Sequence, residues 1–173
     1  MKTTIKIFAI ALVSLGFSAT SFAQVDKGVS ATATATGIII KPISIKKTVD
    51  MNFGNVAVNK NAGTVVLAPA GTRSATGGVT LPATSGTFAA AEFTITGAEG
   101  YTYSITLPPA ATTVTSGSDN MTVDAFTSNP DGTGTLTGGT QTLKVGATLN
   151  VGANQAAGTY TSATPFTVTV NYN

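Results

Sequence analysis

Few side chains in this chain could do chemistry. Its 173 residues include no His and no Cys, which removes His-based acid/base pairs, the Ser-His-Asp triad, thiol nucleophiles and the usual zinc, haem and iron–sulfur ligand sets. Carboxylates remain. Glu92 and Glu99 are the only glutamates, and two carboxyls can act as acid and base about a glycosidic bond. Here one stands at the entry of a strand-like run and the other in a turn, where lone carboxylates are solvated. Asp119-Asn120 and Asn129 to Asp131 offer loop oxygens to calcium, but without the ligand density of a calcium loop. Turn chemistry accounts for both.

Other strings imitate known sites and fail on spacing. Gly71 to Gly77 has the look of a phosphate loop but no Lys-Ser/Thr follows it, so the charge that holds the β- and γ-phosphates is missing. Gly132, Gly134 and Gly138 are wrongly spaced for a dinucleotide fingerprint and open no helix. Leu81 to Ser85 resembles a sortase signal in mid-chain with no apolar tail behind it, and Asn120-Met121-Thr122 is a formal glycosylation sequon. The residues therefore point to no catalytic group, metal site or cofactor. A more specific pattern is Tyr160, which follows the Gly-containing turn after Leu149 to Val151. It suggests a tyrosine corner, in which the phenol bonds back to upstream backbone in a β-sandwich, against the alternative of an ordinary buried tyrosine.

The elements that must carry these residues are read from a period of two, the spacing that puts apolar side chains on one face of a strand. Phe93 and Ile95 alternate with Thr94 and Thr96, and Tyr101, Tyr103, Ile105 and Leu107 with Thr102, Ser104 and Thr106. Leu143, Val145, Ala147, Leu149 and Val151 share one parity, and Phe166, Val168, Val170 and Tyr172 share another. Further strands are expected at 64–67 and 79–81, and residues 31–53 read as one or two long extended segments broken near Lys41-Pro42. Pro42 cannot donate to a ladder and belongs at an edge or a crossing point. Turn residues at 97–100, 108–109, 128–132, 138–139 and 152–158 punctuate the runs. Thr, about a fifth of the chain, suits pleated surfaces and not helices. Seven to nine short strands predict an all-β, two-sheet sandwich of the immunoglobulin-like kind.

Lys2 and Lys6 precede an apolar run from Ile7 to Phe17, and Ser21-Phe22-Ala23 supplies the small residues of a cleavage site. The run is too short to span a bilayer, which needs about 20 residues. We therefore expect a secretory signal over residues 1–23, cleavage before Gln24, a flexible or donated segment over 24–36, and a sandwich domain over 37–173. The seven basic and seven acidic residues after position 23 cancel. A neutral, sparsely charged chain has no footprint for nucleic acid or anionic lipid and is suited to self-association.

Several stretches taken together, Ala31 to Ile45, Met51 to Gly54, Gly77 to Leu81, Phe93 to Gly97, Tyr101 to Pro108, Val145 to Leu149 and Gly158 to Tyr172, resemble a secreted bacterial family of domains of unknown function. That family is similar in layout to fimbrial subunits of the archaic chaperone–usher type and to spore coat protein U-like domains. Archaic subunits commonly carry an N-terminal disulfide, which this chain does not share. The resemblance implies a sandwich that lacks its last strand and is completed by a strand from a neighbour, with a periplasmic chaperone and an outer-membrane usher as partners. It implies a location in the periplasm, at the cell surface or in a fimbria.

On that reading the donor is the N-terminal stretch with Val25, Val29, Ala31, Ala33 and Ala35 on one face, and the acceptor edge is the terminal strand with Phe166, Val168, Val170 and Tyr172. Strand addition uses an apolar edge that is otherwise a liability. The expected function is a non-enzymatic structural subunit of a surface fibre. The alternative is a monomeric binding or adhesion module for carbohydrate or a surface polymer, with Tyr101 and Tyr103 as its exposed aromatics. A small outer-membrane barrel is disfavoured, because 7% aromatics and no Trp leave its interfacial girdles unsupplied.

Overall fold

A computed structural model describes residues 28–173; the expected signal segment with its cleavage site, and Val25, lie outside the described residues. The described chain divides at Gly37, and its two parts are taken separately. Residues 28–37 contain no helix or strand and are exposed throughout. From Ile38 onward the chain is all-β, with ten strands: β1 Ser44–Val49, β2 Ala57–Leu67, β3 Arg73–Thr80, β4 Ala91–Thr96, β5 Thr102–Thr106, β6 Thr112–Ser116, β7 Asp119–Asn129, β8 Thr133–Thr135, β9 Thr140–Val151 and β10 Thr169–Tyr172. One 3₁₀ turn, Thr137–Gly139, precedes β9.

All pairings are antiparallel. The long strand β9 is the axis of a seven-stranded sheet. One edge of β9 pairs with β4 over Thr140 to Val145 and then with β2 over Ala147 to Val151, while its other edge carries β7. Gly146 sits at the handover from β4 to β2. A Cβ there would lie 2.2 Å from the Leu67 carbonyl oxygen, so only glycine lets the end of β2 come this close. β1 joins β4, β3 joins β2 and β6 joins β7. The second sheet has three strands in the order β10-β5-β8. The two sheets do not close into a barrel and form a β-sandwich.

The alternation that predicts β9 is realised in full, with Leu143, Val145, Ala147, Leu149 and Val151 all buried. Their burial divides between two clusters. In the first, Ala91, Ile95, Leu143 and Val145 of the large sheet meet Tyr103 and Val170 of the small sheet, together with Leu136 and Val168, which flank its strands. Each such aliphatic side chain contributes about 1.5–3 kcal/mol when fully buried. The second cluster, Val65, Val79, Val123, Ala147, Leu149 and Val151, belongs wholly to β2, β3, β7 and β9. No strand of the small sheet reaches it; Met51, Phe53 and Val56 pack there instead. Three short strands do not cover the inner face of seven.

Four features differ from the sequence expectation. The terminal alternation covers seven residues, but only Thr169 to Tyr172 form a strand. The register pairs Thr169 with Thr106, and on the partner side Leu107 is followed by Pro108 and Pro109, which have no N–H to continue a ladder. The segment 31–53 is strand only at β1, which begins just after Lys41-Pro42. The hairpin β6–β7 was not anticipated: its apolar residues Val114, Met121 and Val123 are sparse, and a bulge between Asp124 and Thr127, with Ala125 at φ 46°, breaks the parity before Phe126. Tyr103 is not an exposed aromatic but is fully buried.

Candidate functional site

The incomplete cover over the second cluster leaves a groove of about 1010 Å³. Its apolar surface comes from neighbouring strands of the large sheet: Val114 of β6, Met121 and Val123 of β7, Leu149 and Val151 of β9. Residues 50–58 line it on one side of the sequence and 155–162 on the other, with Phe166 beyond. These two stretches directly follow β1 and shortly precede β10. Each of those strands has a ladder partner on one edge only among the described residues, β1 on β4 and β10 on β5. The groove therefore opens between the first and last parts of the domain. Near one end the walls approach each other, where the Asn154 N–H donates to the Asn59 carbonyl at 3.1 Å.

The first wall owes its shape to Asn52, Gly54 and Arg73. Asn52 makes a single two-bond bridge with Ala89, 2.9 Å each way, and its Oδ1 accepts from the Gly54 N–H at 2.8 Å. Gly54 has φ +68°, and a Cβ there would meet the Ser85 carbonyl at 2.5 Å, so the turn needs glycine. Arg73, twenty residues away on β3, closes the turn. Its Nη1 donates to the carbonyls of Phe53 and Asn55, and its guanidinium lies 4.1 Å from the centre of the Phe88 ring.

The second wall is tied by Gln155 and Tyr160. The Gln155 Oε1 accepts from the Gly152 N–H, and its Nε2 donates to the Asn120 carbonyl and to the Tyr160 phenol. The phenol in turn donates to the Ala156 carbonyl at 2.8 Å, so Tyr160 bonds back to upstream backbone. Further on, Thr161 forms a two-bond bridge with Thr115 of β6. Extended backbone bonded through Thr161 to one neighbour turns the N–H and C=O groups of Tyr160 and Ser162 to the opposite edge. By the same alternation the Asn52 bridge turns those of Met51 away from Ala89.

The side chains of Asn52, Asn55, Gln155 and Tyr160 are thus occupied with holding the walls, and among the described residues that line the groove only Asp50 is charged. A small-molecule site presents a few convergent polar groups to its ligand. This one presents aliphatic side chains and strand-edge backbone, which suits an extended apolar segment.

The residues expected from sequence to carry function are scattered. Phe166 lines the groove, but Val168 and Val170 are in the core between the sheets, and Val170 pairs with Ile105 of β5. The Tyr172 phenol accepts from the Ala98 N–H at 2.6 Å and donates to the Lys41 carbonyl at 2.8 Å. It therefore fixes the point at which the chain enters the sandwich. Val29, Ala31, Ala33 and Ala35 are exposed. Glu92 pairs with Lys144 directly opposite it, Oε1 to Nζ 2.8 Å, while Glu99 is exposed in the turn before β5. Among the described residues no three carboxylates gather where they could share a metal ion. Tyr103, from β5, donates to Gln141 Oε1 at 2.8 Å; burial raises its pKa above the ordinary value of 10.0. The sequence reading places the acceptor edge at residues 166–172, of which only Phe166 lines this groove; the walls at 50–58 and 155–162 went unread, because the first depends on Arg73 reaching a distant turn.

The model of the family described as "Domain of unknown function (DUF4402)" matches residues 43–172, and the chain belongs to that family. No curated protein and no solved structure matches it.

Proposed function

We propose that the protein is a non-enzymatic structural subunit of a secreted, fimbria-like surface fibre whose copies join by β-strand donation. The observation that carries this reading is the groove between residues 50–58 and 155–162, where the large sheet lacks a covering strand. A strand laid there adds backbone hydrogen bonds and buries aliphatic surface in one step. The chain supplies a suitable donor in its own Thr- and Ala-rich N-terminal stretch, which carries no charge from Gly28 to Ile40. The donating and accepting surfaces differ, so the contact is heterologous and extends into a filament and not a closed dimer. A periplasmic chaperone and an outer-membrane usher are the partners such assembly calls for, since a groove of this kind must be shielded before export.

The rival reading, a monomeric module that binds carbohydrate or a surface polymer, would rest on exposed aromatics, and of its two tyrosines only Tyr101 is exposed. The test is sedimentation of the mature protein beside a variant lacking residues 24–35. The full chain is expected to form polymers resistant to mild detergent and the truncated chain to remain monomeric. Fibres formed by the truncated protein would overturn strand donation.

A further inference from the structure

Residues 28–40 contain no charge and no proline, and they hold three of the chain's exposed large apolar side chains. Val29 is fully exposed, Ile38 is 86% exposed and Ile39 is 99% exposed. The row of small alanines between them, Ala31, Ala33 and Ala35, is too weak to fix a strand in a groove, whereas a β-branched side chain with its whole surface available is not. Parity separates the two isoleucines. Val29, Ala31, Ala33, Ala35, Gly37 and Ile39 share one face of an extended strand; Ser30, Thr32, Thr34, Thr36 and Ile38 share the other. The apolar face is the one that a groove lined by Val114, Met121, Val123, Leu149 and Val151 accepts.

We infer that Ile39 is the principal anchor by which a second copy of this chain fills the groove, with Val29 toward the other end of the same strand and Ile38 facing outward. This inference rests on the strand-donation reading and names its anchor. Residues 29 to 39 span about 33 Å when extended. The uncharged segment also suits the groove electrostatically, since Asp50 is the one charged residue among its described lining. The anchor lies two residues before Lys41, whose carbonyl is held by Tyr172, and three before Pro42, whose ring fixes φ. Consecutive subunits would therefore meet across a short joint at Ile40 to Pro42 that is pinned on the donor side.

The test uses the full mature chain, with Ile39→Asp and Ile38→Asp compared by analytical ultracentrifugation. Both side chains are exposed, so both variants fold. The peptide spanning residues 28–40 is added to each as a soluble competitor. We expect Ile39→Asp to weaken assembly roughly a hundredfold, on the scale of a lost aliphatic burial, Ile38→Asp to assemble as the parent does, and the peptide to block assembly of the parent. If Ile39→Asp assembles like the parent while the peptide still blocks assembly, the anchor is wrong and strand donation stands. If the parent is a monomer that does not bind the peptide, strand donation fails and the anchor with it.

Discussion

Replacing Arg73 with Met keeps the aliphatic stem against its neighbours and removes the guanidinium that holds the first wall of the groove. Two carbonyl acceptors, those of Phe53 and Asn55, lose their donor, and the Phe88 ring loses its cation. Hydrogen bonds to a charged donor contribute about 1.5–3 kcal/mol each while buried, but both carbonyls regain water when the guanidinium leaves. The cation–π contact adds about 0.5–1 kcal/mol. In the other direction, Arg73 Nε is buried without a partner, an offset of about 1 kcal/mol that Met removes. The net expectation is destabilisation by about 2 kcal/mol, which lowers Tm by roughly 4–8 °C in a domain of this size.

Thermal unfolding gives that number, and hydrogen exchange locates it. The amides of Gly54 and Asn55, which donate to Asn52 Oδ1 and to the Ser85 carbonyl, should lose protection while those of β9 keep theirs. A variant with unchanged Tm and unchanged exchange at Gly54 and Asn55 would show that the turn holds itself, and the argument that a distant arginine shapes the groove would be refuted.

Three further outcomes follow from the same geometry. Gly146→Ala places a methyl 2.2 Å from the Leu67 carbonyl; the backbone must shift, and chemical denaturation should show a loss of about 2–3 kcal/mol. Tyr103→Phe should cost about 1 kcal/mol at neutral pH through the lost bond to Gln141. The raised pKa of Tyr103 means that its stabilising effect is whole below pH about 10, the value in the unfolded chain, and is lost as pH climbs toward the folded value. The parent should therefore lose stability more steeply above pH 10 than the Phe variant, which denaturation across an alkaline series will show. Glu92→Gln breaks only a half-exposed ion pair with Lys144, so the expected cost is below about 1 kcal/mol; a larger loss in denaturation would contradict the view of Glu92 as a cross-strand partner and nothing more.

The sheet positions were legible where both faces of a strand obey one parity. β9 shows this best, because its five inward residues are all aliphatic and all buried, and β4 and β5 follow the same rule at Ile95 and Tyr103. Legibility failed where pairing depends on a partner's chemistry. Phe166 to Val168 alternate well yet form no strand, since Pro108 and Pro109 stand opposite; β7 was hidden by the extra residue near Ala125. The groove was the least legible feature. No local pattern in residues 50–58 announces it, because it arises from a small sheet too short to cover a large one and from side chains, Arg73 and Gln155, that reach across the sequence. The shared face of Val29, Ala31, Ala33 and Ala35 is read from alternation alone, whereas the weight we give Ile39 over the alanines rests on its exposure.

The central claim is that the N-terminal strand of one copy lies in the groove of another, and the absence of native cysteine permits a direct measurement. Ile39→Cys in one preparation is mixed with Val58→Cys in a second, or with Val66→Cys as a control. Val58 and Val66 are nearly equal in exposure, 39% and 40%, but only Val58 lines the groove. The account predicts an intermolecular disulfide between the Ile39→Cys and Val58→Cys chains under mild oxidation, and little with Val66→Cys. Equal cross-linking to both positions, or a cross-link that forms only within a single chain carrying both Ile39→Cys and Val58→Cys, would contradict it.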